Sequence, residues 1–140
     1  MSVYLDASVL VSLFIDDVFA DRADKALRAR VPALVVSDFA AAEFASAVAQ
    51  YVRMGALTLG EAGEVLSDFD VWTERAATRV ETLSADIRAA EGSLRRLDLT
   101  VRAPDAIHIA TAQRIGAELA TFDMKMAESA RLLGTQILAI

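Results

Sequence analysis

Short apolar runs alternate along the chain with longer stretches whose apolar positions recur every three or four residues. The first run, Val3–Leu5, stops at Asp6 and predicts a strand, and residues 8–15 follow as a helix apolar on most sides. Residues 21–30 form an amphipathic helix, with Ala23, Ala26 and Leu27 inward and Arg22, Lys25 and Arg28 outward. A second strand is predicted over 33–36. Ser37 or Asp38 then offers the N-cap of an Ala-rich helix over 39–53 that stops near Gly55. Thr58 and Glu61 have the spacing of a capping box, opening a helix that reaches about Arg75. Residues 80–83 predict a weaker third strand, and Ser84 stands where it would cap a helix running to about Leu97. Pro104 suits the first turn of a helix ending at Gly116. A strand over 118–122, a helix over 124–133 closed by Gly134 and a last strand over 136–140 complete the chain. Short apolar strands separated by helices predict an α/β fold, a parallel sheet with helices on both faces and right-handed crossovers.

Composition narrows the chemistry. At 140 residues, two cores would each be too small, so we expect a single domain over 1–140. With 55% hydrophobic and 24% charged residues the chain is globular. It has no cysteine, which excludes disulfides and Cys-based zinc sites. Its one histidine, His108, excludes a His-rich metal site. No uncharged run exceeds nine residues, far short of the roughly 20 a membrane span needs, and no basic segment precedes an apolar one as in a signal peptide. The cytoplasm is the expected location. A net charge of −6, from 20 acids against 14 bases, argues against a protein that coats duplex nucleic acid. It leaves open nucleic acid handled through metal ions.

The acids fall at telling places. In an open parallel sheet the binding crevice lies beyond the carboxyl ends of the strands. Asp6 directly follows the first strand, Asp123 follows the strand over 118–122, and Asp105 lies in the first turn of its helix. Glu43 sits among Phe39, Ala40, Ala41, Ala42, Phe44 and Ala45, where a lone buried charge is costly. Each has an ordinary reading alone: Asp105 favoured by its helix dipole, Asp123 as an N-cap, Asp6 in a turn, Glu43 paired to an arginine. Gathered at one crevice they repel, which raises pKa values, and a divalent cation relieves the repulsion. Oxygen-only ligands suit Mg²⁺ or Mn²⁺, and such a site activates water without a Ser, Cys or His nucleophile.

The segments YLDASVLV, AAAEFASAVAQY, PDAIHIATA and LATFDMKMAESARLLG resemble the PIN-domain ribonucleases, and within them the VapC-type toxins of bacterial toxin–antitoxin pairs. The resemblance runs over essentially the whole chain. It implies a three-layer α/β/α fold and a metal-dependent endoribonuclease that hydrolyses phosphodiesters in RNA. It carries the family's acidic quartet onto Asp6, Glu43, Asp105 and Asp123, as catalytic residues and ligands of Mg²⁺ or Mn²⁺. Ser8 falls where the family places a Ser, Thr or Asn. There its hydroxyl would bond a ligand carboxylate or a water on the metal, or cap the first helix. Ala7 stands where many relatives carry Thr. The resemblance also implies a homodimer and a small antitoxin protein that blocks the site.

His108 lies one turn after Asp105 and reads either as a general base or, the favoured reading, as a packed or supporting group. Two basic rows, Arg22, Lys25 and Arg28, and Arg88, Arg95, Arg96 and Arg102, read first as solvated helix faces and second as RNA contacts. Trp72, Tyr51 and the phenylalanines are too scattered for a stacking platform, and Asp16 and Asp17 are expected to end the first helix facing solvent. The alternatives are a PIN-domain nuclease of RNA processing that is not a toxin, a binding module retaining the fold, and a receiver-like Mg²⁺-binding signalling domain. Asp6 has no adjacent acid, which speaks against the last.

Overall fold

Four short strands, β1 (Val3–Leu5), β2 (Leu34–Ser37), β3 (Ala77–Val80) and β4 (Glu118–Ala120), form one sheet in the order β3-β2-β1-β4, and every neighbouring pair is parallel. The structure, a computed structural model, describes residues 1–15, 18–29 and 33–140. Side chains alternate across each strand, and in the inner strands both sets are apolar. Val3, Leu5, Val36 and Ala120 face one hydrophobic core; Tyr4, Val35 and Leu119 face a second. A sheet buried on both faces needs helices on both, and this one has them.

The first core is closed by α1 (Ala7–Phe14), α2 (Ala20–Ala29), α3 (Asp38–Arg53) and α4 (Leu59–Ala76) through Val9, Leu10, Ala23, Phe44, Val48 and Phe69. Phe14 sits edge-on to Phe44, Phe69 and Trp72, so the scattered aromatics serve packing. The second core is closed by α5 (Ser84–Leu94), α6 (Ala103–Arg114) and α7 (Met124–Leu132) through Ala90, Ile107, Ile109, Met126 and Ala130. The result is the three-layer α/β/α architecture. Among the described residues no helix is long and apolar enough to cross a membrane.

Four expectations change. The third strand lies at Ala77–Val80 rather than 80–83. It is an edge strand whose Thr78 and Arg79 are exposed, so apolarity misplaces it; Arg79 Nε donates to Asp38 Oδ1 at 3.1 Å. The segment 136–140 makes one bridge, Ile137 with Leu119, rather than a strand. Beyond it the chain leaves the sheet for α2, where Arg22 Nη2 donates to the Ile140 carbonyl at 2.6 Å. The cap of α5 comes from Asp86, which accepts the Leu83 N–H at 2.9 Å, and not from Ser84. The helix after β1 begins at Ala7 with Asp6 as its N-cap, so Ser8 does not cap it. Ser37 caps α3, and Thr58 with Glu61 forms the capping box of α4. Asp16 and Asp17 lie outside the described residues.

Candidate active site

The strand order reverses at the β1–β4 seam. The chain leaves β1 toward β2 and β3 on one side and returns to β4 on the other. Such a seam opens a crevice at the carboxyl ends of its strands. Asp6 and Thr121 each directly follow one of the two strands, and Asp123 comes two residues later.

Asp6 is buried, and three donors hold its two oxygens. Oδ1 accepts from Ser8 Oγ at 2.6 Å and from the Val9 N–H at 3.1 Å; Oδ2 accepts from Thr121 Oγ1 at 2.6 Å. Ser8 Oγ in turn accepts the Phe122 N–H at 3.0 Å, and Thr121 Oγ1 accepts the Asp123 N–H at 3.0 Å. The loop after β4 is thus stitched to the start of α1 through two hydroxyls. Asp123 is exposed, and its Oδ1 caps α7 by accepting the Met126 N–H at 3.0 Å. Burial lifts the Asp6 carboxyl above the ordinary carboxylate range, although Ser8, Thr121, His108 and the Val9 N–H pull the other way.

Asp105, half-buried at the start of α6, accepts the Arg102 N–H. Burial raises its pKa too; the Arg102 bond opposes the rise, and the charges of Asp123 and Glu43 add to it. Asp105 thus feels the charges of both Asp123 and Glu43.

Glu43, on α3, pairs with His108 rather than with an arginine: His108 Nε2 and Glu43 Oε1 share a hydrogen bond. His108 is buried on α6, and its Nδ1 lies 2.7 Å from the Tyr4 hydroxyl. Tyr4 also bonds Ser37 Oγ at 2.7 Å, and burial pushes its hydroxyl pKa above the ordinary value. Four further side chains, Thr121, Tyr4, Ser37 and His108, therefore support the acids. Sequence reasoning gave the first three no such part. The signal for Thr121 was a hydroxyl residue at a strand end two positions before an acid.

Beside Ser8 and Glu43 opens a cavity of about 430 Å³, its other walls including Ser46, Gln50, Tyr51 and Phe122. Phe122 stacks on Phe19 at 4.7 Å, and the Arg22 guanidinium lies 5.4 and 5.6 Å from the two rings. Of the basic rows, Arg28, Arg95 and Arg96 are each tied to a neighbouring acid on an exposed face.

The donor set is hard oxygen, Asp105 feels the charges of Asp123 and Glu43, and burial lifts two of the four carboxyls; this chemistry fits a divalent cation. Among the described residues no three His, Asp or Glu side chains converge into a ready ligand cluster.

The sequence model described as PIN domain matches residues 3–132. Ribonuclease VapC46 of Mycobacterium tuberculosis is 32% identical over 141 residues, 99% of this chain and 97% of that protein. Among solved structures, M. tuberculosis VapC20, a sarcin-ricin loop cleaving toxin, superposes with a TM-score of 0.72 at 15% identity, covering 91% of this chain and 95% of that one. VapBC2 of Rickettsia felis, bound to a DNA fragment from its own promoter, gives 0.72 at 14% identity, covering 98% and 97%.

Proposed function

The chain belongs to the PIN-domain family and groups there with VapC-type ribonucleases, and on that premise we propose that it is a metal-dependent endoribonuclease, the toxin of a VapBC-type toxin–antitoxin pair acting in the cytoplasm. Asp6, Glu43, Asp105 and Asp123 are its catalytic carboxylates and would hold Mg²⁺ or Mn²⁺. The observation that carries this reading is Asp6: a buried carboxylate at the strand-order reversal, bonded through both oxygens, on the edge where Asp105 feels Asp123 and Glu43. The receiver-like alternative has no place in this family.

Such a cation, when bound, supplies positive charge against the phosphate oxygens and makes water more acidic. The chain's own residues do the rest. Ser8 and Thr121 hold the Asp6 carboxylate in one orientation, and His108 holds that of Glu43. One carboxylate of the quartet takes a proton from the attacking water. The water oxygen bonds to phosphorus in line with the leaving oxygen, the opposite P–O bond breaks, and the leaving oxygen collects a proton. Mg²⁺ usually keeps several waters, so not every carboxylate need touch it.

RNA approaches through the open cavity beside Glu43, where Ser46, Gln50 and Tyr51 offer uncharged polar edges. Unpaired RNA suits such a wall, because its bases are accessible. A small antitoxin protein that covers the same mouth, and a homodimer, complete the reading; the VapBC pair from R. felis is one parallel.

The test is cleavage of RNA by wild type, Asp6→Asn and Asp105→Asn, with Mg²⁺ or Mn²⁺ and with EDTA. Cleavage by wild type alone, lost with EDTA, is expected. Equal cleavage by all three proteins overturns the proposal. A neighbouring reading frame encoding a small DNA-binding protein separates the toxin from a nuclease of RNA processing.

A further inference from the structure

We infer that Tyr4 and His108 are positioning residues for Glu43, forming a buried relay of hydrogen bonds from the middle of the sheet to that carboxylate; the inference rests on the reading of Glu43 as part of the cation site.

The relay joins four elements. Tyr4 comes from β1, Ser37 from the end of β2, His108 from α6 and Glu43 from α3. Ser37 also caps α3 by accepting the Ala40 N–H at 3.0 Å, so the relay begins and ends on the helix that carries Glu43. Tyr4 and Ser37 are 0% exposed and the His108 side chain 1%, whereas the Glu43 side chain is 33% exposed. A fully buried polar chain therefore opens to solvent at its carboxylate end.

For an ionised Glu43 and a single hydrogen on the His108 ring, proton counting sets the direction of every bond. An ionised carboxylate only accepts, so His108 Nε2 carries the hydrogen. With one proton on the ring, Nδ1 accepts from the Tyr4 hydroxyl. Tyr4 has then spent its only hydrogen, and Ser37 donates to the Tyr4 oxygen while its own lone pair takes the Ala40 N–H. No donor is left over. The His108 ring is further clamped by Phe39, edge-on at 5.1 Å, and by the Tyr4 ring at 5.7 Å. Apolar side chains of similar size would fill this space without the cost of burying polar groups. What the polar version adds is a fixed direction for a long, flexible glutamate. Only one of its oxygens, Oε1, is bonded to His108.

Because the chain holds one histidine, its imidazole nitrogens are read without ambiguity by ¹⁵N NMR. In the metal-free protein the ring is expected to carry its hydrogen on Nε2, and Tyr4→Phe is expected to erode that preference. The second measurement is the melting temperature against Mn²⁺ concentration. Tyr4→Phe and His108→Leu are expected to need about tenfold more Mn²⁺ for the same rise, the usual cost of losing a group that orients a ligand. His108→Gln, which keeps an N–H near the Nε2 position, is expected to recover most of the loss. In RNA cleavage kcat is expected to fall with KM nearly unchanged. Tyr4→Phe conserves the ring, so it decides the matter should His108→Leu fail to fold. If Tyr4→Phe and His108→Leu follow the wild-type Mn²⁺ curve, or the hydrogen sits on Nδ1, the relay is overturned. If wild type itself shows no Mn²⁺-dependent rise, the cation reading of Glu43 falls first and this inference falls with it.

Discussion

Arg114 closes the seam between α5 and α6, and its removal is the most quantitative prediction the structure offers. The Asp86 side chain is 1% exposed, and its two oxygens accept from Arg114 Nε at 2.7 Å and Nη2 at 2.9 Å. Arg114 Nη2 also reaches the Glu81 carbonyl at 2.9 Å. Burial alone would raise the Asp86 pKa, but Arg114 and the Leu83 N–H outweigh it and hold the carboxyl below the ordinary range. In Arg114→Met the carboxylate is left buried without its cation, which costs about 3–5 kcal/mol. The Arg114 side chain is 32% exposed, so solvent screens part of the pair and the lower end, about 3 kcal/mol, is expected. For a domain of this size that lowers the melting temperature by about 10 °C. Urea denaturation at neutral and acid pH is the assay. A group whose folded pKa is depressed gives stability above its unfolded pKa and loses it as pH falls through the folded value. The gap between wild type and Arg114→Met should therefore narrow in acid. Adding Asp86→Asn should recover part of the loss by removing the stranded charge. A loss under about 1 kcal/mol, or a gap that widens in acid, refutes the reasoning. RNA cleavage per folded molecule should persist, because Asp105 lies at the opposite end of α6.

Asp6 predicts the opposite slope with pH. Its folded pKa is raised, so its contribution is fully present below the unfolded pKa and is lost as pH rises through the folded one. Metal-free Asp6→Asn should gain on wild type as pH rises; melting temperatures that stay parallel from acid to neutral pH would contradict this. Mg²⁺ or Mn²⁺ at about a hundred times its dissociation constant should stabilise wild type by about 2.7 kcal/mol, reversed by EDTA and absent in Asp6→Asn, as read by thermal denaturation. Leu97, 90% exposed at φ +66, sits in the left-handed region that favours glycine, so Leu97→Gly should raise stability by about 0.5–1 kcal/mol in urea titration; a loss would mean its side chain is needed.

The architecture was readable because period and composition agreed. Leu10, Phe44 and Ile109 fall on buried helix faces, and the strand around Tyr4 is apolar on both sides. The third strand was misplaced because an edge strand tolerates Thr78 and Arg79, and no apolar signal marks its register. The positions of Asp6 after β1, Asp105 in the first turn of α6 and Asp123 at the start of α7 were readable from the pattern. What pattern alone did not carry was the partnership of residues far apart in the chain: Tyr4 with His108, 104 positions later, and Asp6 with Thr121, 115 later. Such pairs depend on strand order, which local periodicity does not encode. His108 shows the limit well. Its helical position made it a neighbour of Asp105, whereas its bonds go to Tyr4 and Glu43.

Thr121 follows Asp6 by 115 positions, which also fixes the order in which the parts of the crevice are made during synthesis. Asp6 leaves the ribosome long before β4, and β1 gains its second neighbour only once β4 has emerged. A nascent chain bears its first acid without the hydroxyl that orients it or the acid that follows β4. The oriented carboxylate of Asp6 and the residues that follow β4 therefore come together only once β4 has joined the sheet.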